Sequence, residues 1–197
     1  MAFLKKEDKK NIILEASLKL FSKKGFYNTT IPDIAKSINM SVGNMYNYFK
    51  SKESLAMAII RYTSDILGEK IKKINQKDIS TKEKIRLIVK MYFDMAQKKP
   101  EMIEYFLRVY LSNRDIFKNG CEGMICVSSF VTEIMIFFEE GVRNKELRDQ
   151  DFFSAFGLFM GYLGGMVFLN GEHVLEKSLN EYVEDISHNI YLALKNE

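Results

Sequence analysis

Asn44 and Asn47 lie three residues apart, with Gly43 just ahead of them and tyrosines at 46 and 48. A carboxamide donates and accepts at once, so it can meet the edge of an adenine with two hydrogen bonds. Glycine lets a backbone approach its partner closely, while phenol, hydroxyl and ammonium groups donate to phosphate oxygens. The chemistry open to this set is non-covalent reading of DNA. Gly43, Asn44 and Asn47 face the bases, Ser41 and Val42 open the same segment, and Thr30, Tyr46, Tyr48 and Lys52 supply phosphate contacts. Taken singly, each asparagine also suits a solvated turn and each tyrosine a core; it is their combination that points to a groove.

These residues need elements to hold them. At about 100° per residue, Met45 and Phe49 project to one side of a short helix, opposite Gly43, Asn44 and Asn47. That helix must pack on what precedes it. A first helix spans about residues 6–24, with Ile13, Ala16 and Leu20 at helical spacing beside Leu18 and Phe21, and Gly25 stops it. Thr30 caps a second helix, with Pro32 in its first turn and Asp33 as the acidic partner of a capping box. Ile34, Ala35 and Ile38 face inward, Asn39 suits a left-handed turn, and Ser41 caps the third helix. Two short helices joined by a tight turn form a helix-turn-helix.

Downstream, Ser51 caps a fourth helix to about Asn75 with Leu55, Ile59, Tyr62 and Ile66 on one stripe. Further helices are expected from about Thr81 to Lys98, from Pro100 to near Asn113, and from Met124 to Val142. Two more follow, from Asp151 to Asn170 and after the Ser178–Glu181 capping box. Residues 115–123 read as irregular, with Gly120 and Gly123 as breakers. No repeat and no alternating strand pattern interrupts this, so the fold class is all-α. The expected domains are residues 1–52, the DNA-binding part, and 53–197, the larger helical part.

Charge supports that division. The chain of 197 residues has a formal net charge of +3 and is 47% hydrophobic, enough to bury a core. Residues 1–60 hold ten Lys/Arg against five Asp/Glu, and the remainder nineteen against twenty-one. The basic excess thus lies on the helix-turn-helix segment, as phosphate binding requires. There is no Ser/His/Asp set, paired-carboxylate motif or glycine-rich phosphate loop, so no catalytic residue, enzyme activity or cofactor is expected. His173 and His188 lack partners at ligand spacing, which argues against a metal site. Cys121 and Cys126 read as buried free thiols of a reduced cytoplasm, with a redox pair as the alternative. The first residues, Lys5-Lys6-Glu7-Asp8-Lys9-Lys10, do not resemble a signal peptide. Phe152 to Leu169 is uncharged and of membrane-spanning length, yet four glycines interrupt it and no basic cluster flanks it. A helix apolar all round also suits the centre of a soluble oligomer. The expectation is a cytoplasmic protein with no membrane partner.

Residues 9–55 resemble the N-terminal DNA-binding domain of the TetR (tetracycline-repressor) family of bacterial transcriptional regulators. The matching residues are Ala16, Leu20, Phe21, Gly25-Phe26, Thr29-Thr30, Ile34-Ala35 and Ser41-Val42-Gly43. Most specific is Met45-Tyr46-Asn47-Tyr48-Phe49-Lys50-Ser51-Lys52-Glu53, which is similar to the family's Leu-Tyr-x-(His/Tyr)-Phe-x-(Ser/Asn)-Lys-Glu pattern. Asn39 stands where glycine is common and accepts the same turn. Asn44 replaces the usual threonine or serine, a change expected to alter the operator sequence rather than the ability to bind.

The resemblance implies a C-terminal ligand-binding and dimerisation domain, and the residues add their own support. Gly157, Gly161 and Gly165 form a smooth strip, and the last helix carries the stripe Val183, Ile186, Ile190; together these are the expected dimer interface. A two-fold pair would read an inverted-repeat operator. Met91, Tyr92, Met95, Tyr105, Arg108, Tyr110, Phe130, Glu133, Tyr162 and Met166 are the candidates for an apolar ligand cavity, with Phe106, Asn113, Phe159 and Asn170 nearby in the chain. Glu133, within an apolar helix, either faces water or meets a cation. The expected partners are therefore double-stranded DNA, a small, mostly apolar effector and a second copy of the chain. The expected function is a repressor released by that effector, its fourth helix transmitting the change. The competing reading is an all-helical small-molecule-binding protein or enzyme with no role on DNA.

Overall fold

The computed structural model describes residues 6–106, 115 and 125–196; Arg108, Tyr110, Asn113 and Cys121 lie outside the described residues. The described residues are helical almost throughout, with one isolated antiparallel bridge, Leu147–Lys195, as the extended pairing among them. The all-α expectation holds. The chain forms two compact units, Met1–Asp65 with Pro100–Ser128 and Ile66–Lys99 with Ser129–Glu197. The division falls inside the fourth helix, whereas the sequence suggested its first residue.

The first unit contains α1 (Lys6–Lys24), α2 (Ile31–Ser37), α3 (Val42–Tyr46), the first half of α4 (Lys52–Asn75) and α6 (Pro100–Glu104). Helix α1 buries Ile13, Leu14, Ser17, Leu18 and Phe21, a stripe centred differently from the expected Ile13, Ala16, Leu20. Ser17 is tolerated there because its hydroxyl donates to the Ile13 carbonyl at 2.6 Å. At Gly25 the backbone turns left-handed (φ 81°) and its N–H closes the helix on Phe21 O at 2.9 Å. Helix α6 packs on α1. Tyr105, just beyond it, is wholly buried with its ring 6.2 Å from Phe21 and its hydroxyl donating to Ala56 O at 3.0 Å. Burial pushes that phenol's pKa well up.

The second unit contains the rest of α4, α5 (Thr81–Lys98), α7 (Ser128–Arg143), α8 (Phe152–Gly171) and α9 (Val183–Leu194). Ser80 and Asp151 cap α5 and α8, their side chains accepting from the N–H groups of Glu83 and Ser154, and the Ser178–Glu181 box forms as the sequence suggested. Helix α5 is central, packing on α8, α9 and the turn before α9. Gly68 of α4 lies against the start of α7: a Cβ there would sit 2.8 Å from Ser129 O. Lys84 is buried, donating to Glu140 Oε2 and to Asn75 O, both at 2.9 Å. Glu133 meets neither water alone nor a cation: its carboxylate and backbone carbonyl accept from the Asn75 amide at 3.0 and 2.9 Å. Cys126 is buried and disulfide-bonded, which corrects the expectation of a free thiol.

One face of α8 points inward through Ala155, Phe159, Leu163 and Met166. The rest is exposed and apolar, including Phe153 and Phe168, both more than 60% accessible, with Leu158 and Leu169. A Cβ on Gly157, Gly161 or Gly165 would meet no other element within 4 Å among the described residues. By length and composition this helix could cross a bilayer. Val183, Ile186 and Ile190 correct the expected dimer stripe, because they are buried in the unit's own core. An apolar stripe on α9 satisfies α5 first, leaving Leu192 as an exposed apolar residue on that helix.

Candidate nucleic-acid interface

Helix α3 has five residues, too short to hold itself, so its termini and underside must be fixed from outside. Ser41 does this at the start: its Oγ accepts from the Asn44 N–H at 3.2 Å. Beneath, Met45 and Phe49 are buried, along with Ile34 and Ala35 of α2. Asn39 takes the left-handed conformation (φ 52°) that turns the chain between the two helices, and Met40 N–H closes on Ala35 O at 2.9 Å. The remaining side of α3 is open. Ser41, Val42, Gly43, Tyr46 and Asn47 are exposed, and Asn44 and Tyr48 are half-buried. A long 3.4 Å bond from Asn47 Nδ2 to Asn44 Oδ1 joins the two amides. One Asn47 N–H, its Oδ1 and the Asn44 NH₂ remain for a partner.

Two of the expected phosphate ligands are engaged inside the unit. The Thr30 hydroxyl donates to Asp33 Oδ2 at 2.6 Å and accepts from Asp33 N–H at 3.3 Å, completing the capping box. A hydroxyl has one proton, so Thr30 has no donor left for a phosphate while the box is closed. The Thr30 hydroxyl first, and then the Thr30 N–H, which donates to Asp33 Oδ2 at 3.0 Å, hold the Asp33 carboxyl below its ordinary pKa. Lys52 Nζ donates to Phe26 O at 2.9 Å and Thr29 O at 3.0 Å, and lies 4.3 Å from the centre of the Phe26 ring. Two of its three protons thus tie the α1–α2 turn to the first residue of α4. Exposed groups that sequence reasoning passed over are Tyr27, edge-on to Phe26 at 5.4 Å, and Lys36 and Lys50. Their basic and phenolic chemistry was the available signal.

A capped, five-residue helix anchored by Met45 and Phe49, with amides outward, is a helix-turn-helix reading head. Residues 13–59 match the model of the bacterial regulatory proteins of the tetR family. Residues 13–59 thus carry the sequence of a TetR-type DNA-binding domain. The chain is 27% identical over 198 residues to the uncharacterized HTH-type transcriptional regulator YerO of Bacillus subtilis. That match covers 91% of this chain and 61% of YerO, so the chain spans less than two thirds of that relative. It is 28% identical over 157 residues to IcaR of Staphylococcus aureus, the negative regulator of the biofilm operon icaADBC, covering 77% of this chain and 80% of IcaR. The fold of the fatty acid degradation regulator FadR from Bacillus halodurans superposes with a TM-score of 0.80 at 16% identity, covering 95% of this chain and 97% of FadR. The match of residues 13–59 to a family of regulators agrees with the non-enzymatic expectation.

The described ligand candidates do not converge on one place. Met91 and Met95 line a groove of about 450 Å³ between α4 and α5 in the second unit. Tyr92 is buried, which raises its phenol pKa. Phe130 packs on Phe156 at 6.2 Å, Met166 is buried, and the Tyr162 hydroxyl accepts from Asn189 Nδ2 at 3.0 Å. Tyr105 belongs to the core of the first unit, and Glu133 to the Asn75 contact.

Proposed function

We propose that the chain is a homodimeric, cytoplasmic repressor that binds an inverted-repeat operator and leaves it when a small, mostly apolar effector occupies the helical part of residues 53–197. The observation that carries this reading is the open side of α3, where Ser41, Val42, Gly43, Asn44 and Asn47 cluster over a buried Met45–Phe49 anchor. In this reading residues 1–52 bind DNA. The two asparagines and the Gly43 backbone address base edges, Tyr46 and Tyr48 bond phosphates, and Ser41 keeps a free proton for the same use. Lys52 orients the head through the Phe26 and Thr29 carbonyls.

The dimer reading is supported by the exposed apolar side of α8 with its open glycines at 157, 161 and 165. Small residues let two helices approach closely, and an apolar face of this extent favours burial against a copy of itself. The effector acts by preferring the dimer geometry that cannot span both half-sites. Helix α4 is the natural carrier, since one continuous helix runs from Lys52 to Asn75.

Selecting genomic fragments on the purified protein, followed by competition with random DNA, tests this. Asn47→Ala is expected to weaken the selected site at least tenfold more than random DNA. Equal losses on both would remove Asn47 from base reading, and failure to enrich any fragment would sink the repressor reading.

A further inference from the structure

The groove that holds Met91 and Met95 has a two-part lining. Its floor is Ile66 and Ile74 of α4 with Leu87, Met91 and Met95 of α5. Its rim is Lys70, Lys77, Lys90, Lys98 and Lys99, with Asp94 as the acidic residue among them. Asp94 pairs with the two lysines on its own helix, Lys90 at 3.2 Å and Lys98 at 3.9 Å, and accepts from Asn180 at 3.0 Å. Leaving Lys99 aside, the ammonium groups of Lys70, Lys77, Lys90 and Lys98 against one carboxylate leave a positive rim around an apolar floor.

We propose that this groove binds a soluble anionic amphiphile, an alkyl or acyl chain lying on the apolar floor with a phosphate-bearing head held by the lysines. The volume of about 450 Å³ falls in the range of small-molecule sites. Unbranched methionines adapt their shape to a chain. Lysine is a compact charge with three donors, suited to the several oxygens of a phosphate. The excess of charge exceeds what one carboxylate neutralises. A nucleic-acid strand is a poorer fit, because stacking needs aromatic or arginine side chains and the described lining has neither. The inference deepens the effector reading, and depends on it only for what happens at the operator.

The test is titration calorimetry of the full chain with dodecyl phosphate below its micelle-forming concentration. Inorganic phosphate, dodecanol and dodecyltrimethylammonium serve as comparisons. Dodecyl phosphate is expected to bind once per protomer, at least tenfold more tightly than any comparison compound. Lys70→Glu with Lys77→Glu, both exposed side chains, is expected to weaken it at least tenfold while circular dichroism and the melting curve stay unchanged. Absence of binding, equal binding of the cationic amphiphile, or unchanged affinity in the double variant would each overturn the proposal. So would co-sedimentation with phosphatidylglycerol vesicles without binding of the monomeric probe, which would mark a membrane-facing patch instead. Operator release is read separately. Binding without release leaves the site standing and removes its effector role, and release by a compound that does not compete with dodecyl phosphate leaves this site standing and puts the effector at another.

Discussion

Replacing Lys52 by methionine separates two roles that the residue's type alone cannot. Methionine keeps the stem and removes the ammonium, so Phe26 O and Thr29 O lose their donor and the Phe26 ring loses its cation. Hydrogen bonds to a charged group contribute about 1.5–3 kcal/mol each when well shielded, and an exposed cation–π contact about 0.5–1 kcal/mol. The Lys52 side chain is half-buried, which weakens each bond by partial screening, so a net loss of about 2 kcal/mol is the working figure. For a chain of this length that lowers the melting temperature by roughly 4–8 °C. If Lys52 positions the turn, operator affinity falls while the slope of log K against log salt stays the same, because no phosphate contact is lost. If it neutralises a phosphate, the slope becomes shallower by about one unit and the melt hardly moves. Differential scanning calorimetry and a salt series with the selected operator measure both. A shallower slope with an unchanged melting temperature refutes the positioning role.

Gly68→Ala should destabilise by about 1 kcal/mol net, since the clash with Ser129 backbone atoms outweighs alanine's better helix propensity; a higher melting temperature would contradict the close approach. Lys84→Met should cost about 2 kcal/mol by chemical denaturation, less than a fully buried pair because the Glu140 side chain keeps 28% of its exposure. Lys84→Met with Glu140→Leu should recover most of that loss, and equal instability of single and double variants would refute the pairing. Phe153→Glu with Phe168→Glu should yield a folded monomer by sedimentation velocity at low micromolar concentration, and a persistent dimer would move the interface elsewhere. Asp33 and Glu181 are held below their ordinary values of 3.8 and 4.5, chiefly by the Thr30 and Ser178 hydroxyls. A depressed folded pKa gives stability that is present above the ordinary value and lost as pH falls below it. The melting temperature should therefore decline below about pH 4.5, and Asp33→Asn with Glu181→Gln should flatten that decline.

Local chemistry was legible in the sequence wherever a residue acts on near neighbours. Thr30 with Asp33, Ser41 before α3, Asn39 in the turn and the Met45–Phe49 spacing all specify contacts within a few residues, and each has the predicted geometry. Long-range partners were not legible. Nothing near Lys52 indicates that its acceptors are Phe26 and Thr29, and nothing near Tyr105 indicates a hydroxyl acceptor at Ala56. Periodicity shows that Val183, Ile186 and Ile190 form an apolar face, but not whether the face meets its own chain or another. The lysine rim escaped for a related reason: its members come from two helices, and each alone looks like an ordinary solvated charge.

A Cβ on the glycines at 157, 161 and 165 of α8 would meet no other element among the described residues. If that strip is where two protomers meet, substitutions there and in α3 have opposite genetics. A bulky residue at Gly161 yields a folded subunit that finds no partner, so a cell with one normal copy of the gene keeps its normal dimers and the allele is recessive. Asn47→Ala leaves pairing intact, enters mixed dimers with one blind half, and is dominant over the normal copy.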